Sequence, residues 1–277
     1  MNFTQENLEA YLASLRAQER SQATISKYAR DVAAFLRDTR GQEVEKESVI
    51  AYKERLTKRY APASVNSILA AVNGFLAFMD HPGLRVKPLK IQRRAFLPQS
   101  RELTQSDYRL LLAAARRQNK ERLYLLMETL CATGIRVSEL RFITVQAVSR
   151  GWAEVACKGK NRGVFLPERL RCVLSEFINR ERIPAGPIFI TRSGRPMDRS
   201  NIWHAMRALC QEAGVAEEKV FPHALRHLFA RSYYSLDRDI AHLADLLGHS
   251  SMDTTRIYVA TTSREQERRV DALGLVL

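Results

Sequence analysis

The feature that most constrains the fold of this chain is a break in an otherwise helical hydrophobic pattern. On both sides of the break, apolar residues recur at the three- and four-residue spacing of amphipathic helices. Between His81 and Arg101 the chain instead reads HPGLRVKPLKIQRRAFLPQSR, with three prolines, one glycine, six basic residues and no acidic residue. Because proline and glycine interrupt helices, residues 81–101 are predicted to be a linker. The length of 277 residues also suits two domains better than one.

Residues 1–80 are predicted to form a domain of four helices. Thr4 is a candidate N-cap for the first helix, and Pro62 suits the first turn of the fourth. The second and third helices are expected at 21–39 and 46–59, where apolar residues again follow a helical spacing. These apolar stripes predict a core and not a ligand site.

Residues 102–277 are predicted to form a second domain, mostly helical, with one small β-hairpin. Short strands are expected at Trp152 to Lys158 and at Gly163 to Leu166, around a turn at Gly159–Asn161. The predicted fold class is therefore mainly α, with two domains and one small sheet.

The charge of the chain points to a polyanionic partner. The formal net charge is +14, and arginine supplies most of it, with 34 arginines among the 44 basic residues. The planar guanidinium matches phosphate oxygens, so nucleic acid is the first expectation. The linker is expected either to lie along DNA phosphates or to be a solvated basic loop. The residues expected to contact DNA are Arg85, Lys87, Lys90, Arg93, Arg94 and Arg162.

Other classes of protein find little support. No apolar run approaches the about 18 residues of a membrane span, and the N-terminus reads as a first helix and not as a signal peptide. The four cysteines have no metal-ligand spacing. A cytoplasmic protein without membrane attachment is therefore expected.

Four short segments carry the residue types of phosphate chemistry. Pro222 suits a helix start, which would put His223, Arg226 and His227 on one helical face. An arginine can bind a phosphate by charge while a neighbouring histidine transfers a proton. Zinc is not favoured, because the histidine pair lacks the glutamate of H-E-x-x-H and any nearby carboxylate. The segments are Ala132–Leu140, Cys157–Arg162, Phe221–His227 and Leu246–Tyr258.

Taken together, these segments resemble the tyrosine recombinase (phage integrase) family, and its small Xer-type members in size. Thr133–Leu140 matches T-G-x-R-x-S-E-L, His223–His227 matches H-x-L-R-H, Leu247–His249 matches L-G-H, and Thr254–Tyr258 matches T-T-x-x-Y. The resemblance covers nearly the whole chain. In the N-terminal half it is the softer pattern of a SAM-like core-binding domain.

The resemblance implies a role for each matched residue. Tyr258 would be the nucleophile, Arg136 and Arg226 would clamp the phosphate, His223 would accept a proton, and His249 would donate a hydrogen bond. A phenol has an ordinary pKa of about 10, so its attack benefits from a base and from positive surroundings.

The general acid is less well defined than the other roles. The family lysine lies in a K-G-x-K-x-R turn, and here the turn K-G-K-N-R is one residue shorter. Lys158 matches the leading K-G, and Lys160 is the alternative. His227 is expected to make a structural hydrogen bond, and Glu139 to orient Arg136 or to cap locally.

The family reading also implies partners and leaves rivals open. It implies double-stranded DNA and a homo-tetramer on two duplexes with exchange of the C-terminal tail (263–273), and it allows an accessory recombinase or directionality factor. The alternative for the tail is packing on its own domain. No cofactor and no metal is expected, and the chain contains no G-x-x-x-x-G-K-[ST] string. A type IB topoisomerase and a catalytically silent DNA-binding relative are the rival functions, and integrase and dimer-resolvase roles are not separated.

Overall fold

The computed structural model describes residues 3–40, 43–91, 102–157, 160–191, 193–249, 252–258 and 271–272. The chain divides into two compact units, Met1–Arg93 and Arg94–Leu277. In the described part of the chain, no helix is both long enough and apolar enough to cross a membrane.

The first unit contains the four expected helices. They are α1 (Gln5–Ala17), α2 (Gln22–Asp38), α3 (Lys46–Arg59) and α4 (Pro62–Phe78). The side chains of Thr4 and Ser21 accept hydrogen bonds from backbone amides in the first turns of α1 and α2, which satisfies donors that the helices leave unpaired. The helical pattern of residues 1–80 is thereby confirmed.

Helix α4 is the centre of this unit because it is buried on two faces. Leu69 and Leu76 pack with α2, α3 and the segment that follows α4, while Ala71 and Phe75 pack against α1 and α2. The continuous apolar sequence of α4 is what allows one helix to serve both clusters.

Part of the expected linker packs on the first unit. Val86 is buried in its core, and two asparagines of α4 pair with the backbone of the segment. Asn73 accepts from the Val86 amide at 3.0 Å and donates to its carbonyl at 2.9 Å, and Asn66 does the same with Leu89 at 2.7 and 2.9 Å. The segment up to Lys90 therefore differs from the free linker expected from residue 81, because buried apolar side chains and amide pairs attach it.

The described part of the second unit is mostly helical. Its helices are α5 (Gln105–Arg117), α6 (Glu121–Thr133), α7 (Val145–Arg150), α8 (Glu168–Arg180), α9 (Arg199–Arg207), α10 (Cys210–Ala213), α11 (Pro222–Asp237), α12 (Ile240–Leu247) and α13 (Met252–Tyr258). A short 3₁₀ helix spans Val137–Phe142. Helix α6 is buried along most of its length and packs on α11.

The hairpin is present, with strand bounds that differ from the expected ones. Strands β1 (Trp152–Cys157) and β2 (Lys160–Phe165) pair antiparallel, with Trp152 opposite Phe165 and Cys157 opposite Lys160. Lys160 and Asn161, which were expected in the turn, belong to β2. Backbone pairing with β1 outweighs the turn preference of asparagine and glycine in this stretch.

Gly134 brings α6 against α11 at the start of the site. It ends α6 with a φ of +63°, a conformation that suits glycine. A Cβ atom at this position would lie 2.3 Å from the ring of Phe229 on α11. The glycine therefore serves both the turn and the close packing that places Arg136 beside α11.

Candidate active site

Arg226 is, with Glu139, one of the two almost fully buried charged residues of the site. Its side chain is 1% exposed and projects from the buried face of α11. It donates to the carbonyl of Gly134 and, at 2.6 Å, to the carbonyl of Leu247, whereas its Nε is buried without a partner among the described residues. Burial, followed by repulsion from Arg136, lowers its pKa to about 10. The guanidinium is thus held by the carbonyl ends of α6 and α12 and not by a carboxylate.

Arg136 lies at the start of the 3₁₀ helix and binds Glu139. Its Nη1 donates to Glu139 Oε1 at 2.9 Å, and its backbone amide donates to Oε2 at 2.8 Å. Its Nη2 donates to the carbonyl of Gly248 at 3.3 Å, and 28% of the side chain stays exposed. Glu139 therefore binds Arg136 by a side-chain and a backbone bond together.

Arg162 was expected to contact DNA, but its side chain binds groups of the protein. Its Nη1 and Nη2 donate to the two oxygens of Glu139 at 3.2 and 2.8 Å, and its Nε donates to the Leu246 carbonyl at 3.1 Å. Only 14% of the side chain is exposed. Because its donors face protein acceptors, a direct contact with DNA is not what this geometry favours.

Three successive carbonyls at the end of α12 each receive a different arginine. The oxygens of Leu246, Leu247 and Gly248 accept from Arg162, Arg226 and Arg136 respectively. The last carbonyls of a helix have no intrahelical donors and carry partial negative charge, so they attract guanidinium groups. This helix end belongs to the fourth sequence segment, and the three arginines bring the other three segments to the same point.

His249 follows this turn and has a defined hydrogen-bonding state. Its Nε2 lies 3.0 Å from Nη2 of Arg226, and its Nδ1 lies 2.8 Å from Oγ1 of Thr255. A guanidinium can only donate, so Nε2 accepts and Nδ1 donates to the threonine. Burial, followed by the charges of Arg226 and Arg136, lowers the pKa of His249 to about 4.

Tyr258 points into the same cluster from the last residue of α13. Its hydroxyl oxygen lies 2.7 Å from Nε2 of His223, within hydrogen-bond distance. Its buried ring stacks on His227, with centroids 4.1 Å apart and planes 19° apart, and lies 4.9 Å from the His249 ring. The centroid of the ring is 5.8 Å from the guanidinium carbon of Arg226.

The other two histidines are also held in the neutral state. Burial, followed by the positive charges of Arg226 and Arg199, lowers the pKa of His223. Burial and the neighbouring His223 lower that of His227 to about 4, and its Nδ1 is buried without a partner among the described residues. A neutral His223 can accept a proton from the Tyr258 hydroxyl. His227 stacks its ring on Tyr258, and its Nδ1 does not make the structural hydrogen bond expected of this residue within the described part of the chain.

The remaining expected residues are not part of the described cluster. Lys158 lies outside the described residues, as do Arg93, Arg94 and the side chain of Lys160. Residues 263–270 and 273 of the tail are outside them as well. Arg85, Lys87 and Lys90 are exposed on the packed segment of the first unit.

Three residues near the cluster were missed at the sequence level. A cleft of about 800 Å³ beside Arg136 and His223 is lined also by Arg199 and Trp203 of α9. Thr255 is fully buried and holds His249. Thr255 lies inside the T-T-x-x-Y string, whereas Arg199 is one of many arginines and has no distinguishing spacing.

Comparison with known proteins identifies both halves of the chain. Residues 101–265 match the model of the phage integrase family, and residues 8–82 match the N-terminal SAM-like domain of phage integrases. The tyrosine recombinase XerC of Roseiflexus castenholzii is 32% identical, over 91% of this chain and 88% of its own length. XerD of Xanthomonas campestris pv. campestris is also 32% identical, over 85% and 81% respectively.

The fold has solved counterparts as well. A crystal structure of a lambda integrase tetramer bound to a Holliday junction aligns with 91% of this chain and 76% of its own, at a TM-score of 0.74 and 19% identity. The matched family model covers more than half of the chain, and the two relatives exceed 30% identity over most of their length. The chain therefore belongs to the phage integrase family of site-specific tyrosine recombinases.

Proposed function

We propose that Tyr258 is the nucleophile that cleaves DNA in this recombinase. Its hydroxyl oxygen attacks the scissile phosphorus, the bond to the 5′-oxygen breaks, and a 3′-phosphotyrosyl bond and a free 5′-hydroxyl result. The observation that carries the proposal is the 2.7 Å distance between the Tyr258 hydroxyl and His223 Nε2, inside a cluster of arginines. A neutral imidazole at this distance takes up the phenolic proton as the bond to phosphorus forms.

Arg136 and Arg226 clamp the nonbridging oxygens of the phosphate. Arg226 and Nη2 of Arg136 donate to carbonyl oxygens at two helix ends, and phosphate oxygens are stronger acceptors than carbonyls for these donors, while Nη1 of Arg136 donates to Glu139. The buried Nε of Arg226 is a further donor for this purpose. Both charges stabilise the transition state, in which the phosphoryl group gains negative charge.

His249 has to change its state when a phosphate binds. Its Nε2 accepts from Arg226, whereas a contact to a phosphate oxygen requires that Nε2 donate. The Thr255 hydroxyl can accept from or donate to Nδ1, so it accommodates either tautomer. Lys158 protonates the departing 5′-oxygen, with Lys160 as the alternative general acid.

Strand joining needs neither ATP nor a metal ion in this mechanism. The energy of the phosphodiester is retained in the phosphotyrosyl bond, and the 5′-hydroxyl of a partner strand releases the tyrosine. Proton transfer is assigned to histidine and lysine side chains, and charge stabilisation to arginines. Cleavage in the presence of a chelator should equal cleavage without it, and a metal requirement would remove this part of the proposal.

The assembly is a homo-tetramer on two DNA duplexes in the bacterial or archaeal cytoplasm. The lambda integrase with which this fold aligns was crystallised as a tetramer on a Holliday junction, which supports this arrangement. The exposed Arg85, Lys87 and Lys90 would contact DNA phosphates. The tail over 263–273 would dock on a neighbouring protomer, and an accessory recombinase or directionality factor would select between recombination outcomes.

A trapping assay tests the proposal. The protein is incubated with nicked duplexes that carry the candidate attachment sequence from DNA flanking its gene, and denaturation-resistant protein–DNA bands are quantified. The wild-type protein should give a band, and Tyr258→Phe should bind the duplex equally and give none, because only the attacking oxygen is missing. A covalent band from Tyr258→Phe would reject Tyr258, and no band from a tightly bound wild-type protein would favour a silent relative.

The same substrates separate a recombinase from a topoisomerase-like enzyme. Exchange of strands between two duplexes should accompany cleavage, whereas relaxation of supercoils without exchange would indicate the topoisomerase activity. Whether the exchange serves integration or dimer resolution is then decided by the arrangement of the sites that recombine.

A further inference from the structure

Arg162 projects from the inward face of the hairpin. It lies opposite Val155 in the β1–β2 pairing, and Val164 lies opposite Ala153. Val155, Ala153 and Val164 are buried in the core of the second unit, so the alternation of side chains along a strand puts Arg162 on the same inward side. A charged residue at such a position needs fixed acceptors.

Glu139 supplies most of those acceptors, and it is shared. Its carboxylate is 1% exposed and accepts two bonds from Arg162 and two from Arg136. Although burial alone raises its pKa, the bonds from Arg162 and from the Arg136 amide lower it to about 2. Glu139 is thus ionised at neutral pH and would attract Arg136 strongly if Arg162 were not beside it.

Arg162 also lies against the turn that leads to His249. A Cβ atom on Gly248, which has a φ of +63°, would lie 3.0 Å from Arg162 Cδ and 3.2 Å from its Nε. On the other side of this turn the Gly248 carbonyl accepts from Arg136. Arg162 therefore touches the segments that carry Arg136 and His249 without facing the cleft itself.

Counting the charges of the cluster shows that Arg162 increases its excess of positive charge. Among the described residues, Arg136, Arg162 and Arg226 are the arginines that bond Glu139 or the end of α12, and Glu139 is the carboxylate beside them. The lowered pKa values leave the three histidines neutral at neutral pH. Two positive charges remain in excess, and without Arg162 only one would remain. A phosphodiester carries one negative charge, and attack by a phenolate oxygen adds a second in the transition state.

We propose that Arg162 is a positioning residue that neutralises Glu139, so that the charge of Arg136 remains available to the scissile phosphate. This inference rests on the proposed cleavage by Tyr258. The residue acts through Glu139 and Arg136 and does not itself touch DNA. Its removal leaves Glu139 to compensate Arg136, which weakens binding of the transition state more than binding of the DNA duplex.

The test is a charge rescue measured by single-turnover cleavage of the nicked duplex. Arg162→Met should slow covalent capture by about tenfold or more, as the loss of one transition-state charge does, with DNA affinity little changed. Adding Glu139→Gln to Arg162→Met restores the excess of two positive charges and should recover most of the lost rate. If Arg162 only stabilised the local structure, the double variant would be slower than Arg162→Met, because Glu139→Gln removes further hydrogen bonds.

Arg171 offers a matched control outside the site. It donates to the carbonyls of Val148 and Ser149 at the end of α7, at 3.1 and 3.0 Å, and lies 3.1 Å from a Cβ atom on Gly151, which has a φ of +85°. It therefore repeats the contact of an arginine with a helix end and a glycine turn, but without Glu139. Arg171→Met should leave cleavage unchanged.

Each outcome of the experiment has a separate meaning. A double variant as slow as Arg162→Met, or equal slowing by Arg171→Met, would overturn the inference. Wild-type protein that binds DNA and forms no adduct would instead reject the proposed cleavage by Tyr258. If Arg162→Met does not fold, Arg162→Gln removes the same charge, keeps one donor for Glu139 and permits the same comparison with Glu139→Gln.

Discussion

Arg226 donates to the carbonyls of Gly134 and Leu247, and Nη2 of Arg136 donates to that of Gly248, all at helix ends, while Nη1 of Arg136 donates to the Glu139 carboxylate. A carbonyl satisfies the donors at lower electrostatic strength than a carboxylate, so a phosphate can compete for them. The sequence motifs identified the arginines and histidines, but they could not reveal which acceptors the arginines bind. Which acceptor holds an arginine depends on where two distant helices end, and no local pattern encodes it.

Arg136→Ala should separate cleavage from binding. The side chain is partly exposed at the cleft. In the proposed mechanism it is one of several positive charges that attract DNA, and it acts directly on the reacting phosphate. We expect covalent capture to fall by about 10²- to 10³-fold, the usual effect of removing one transition-state donor, with a small loss of affinity. Equal losses in capture and in affinity, measured by single-turnover cleavage and by gel shift, would make Arg136 an ordinary DNA contact.

Gly134→Ala should destabilise the second unit. The φ of +63° disfavours alanine, and the new Cβ would lie 2.3 Å from the Phe229 ring, so that α6 and α11 would have to separate. We expect a loss of about 1–3 kcal/mol in the free energy of unfolding, measured by urea denaturation. Gly186→Ala, which has a φ of +80° but nothing within 4 Å, isolates the backbone contribution. Equal effects of the two substitutions would show that the Phe229 contact is unimportant.

At the scale of elements, the sequence predicted the helices well and the connections less well. The four helices of the first unit follow from caps and apolar spacing, which are local signals. The basic segment from Pro82 to Lys90 was expected to be free, since its prolines and charges resemble a linker. It packs because Asn66 and Asn73, two turns apart on α4, pair with its backbone, and such a long-range pairing leaves no periodic signal.

Asn73→Ala should loosen this segment and leave the helices intact. The substitution removes both hydrogen bonds to Val86, and the preceding Arg85 is an exposed trypsin site, whereas Lys87 is not one because Pro88 follows it. Limited trypsin digestion should cut after Arg85 several-fold faster than in the wild-type protein, because cleavage follows local opening. Helix content by circular dichroism should not change. An unchanged rate of cutting would mean that the buried Val86 alone holds the segment.

At the scale of the whole molecule, the cluster makes stability depend on pH. The pKa values of His223, His227 and His249 are lowered in the folded protein, mainly by burial. Below about pH 6.5 the unfolded chain binds protons at these residues, whereas folded His227 and His249 stay neutral until about pH 4. The free energy of unfolding should therefore fall as the pH drops from 6.5 towards 4.

His227→Phe tests this dependence in one step. Phenylalanine keeps the ring stacked on Tyr258 and removes a buried Nδ1 that has no partner among the described residues. Unfolding measured between pH 6.5 and 5, where carboxylates contribute least, should show a shallower fall in stability for the variant than for the wild-type protein. Parallel curves would show that His227 does not resist protonation in the folded state.

Family membership followed from four short strings, because each string keeps its chemical residues at fixed local spacing, and the same strings supply the residues proposed for the site. The roles of Arg162 and Thr255 did not follow, since both depend on contacts between segments far apart in the chain. A basic residue near a hairpin reads as a DNA contact until the buried Glu139 beside it is seen. The net charge of the whole chain predicted a nucleic-acid partner. Only the fold shows which arginines lie at the cleft and which bind groups of the protein itself.

The most direct test of the central claim is to map the residue that becomes linked to DNA. Covalent adduct from the nicked duplex is digested with trypsin and nuclease, and the nucleotide-bearing peptide is sequenced by mass spectrometry. The linkage should lie on Tyr258 in the peptide 257–264, IYVATTSR. A linkage on Tyr233 or Tyr234, the neighbouring tyrosines of α11, would contradict the assignment of the nucleophile.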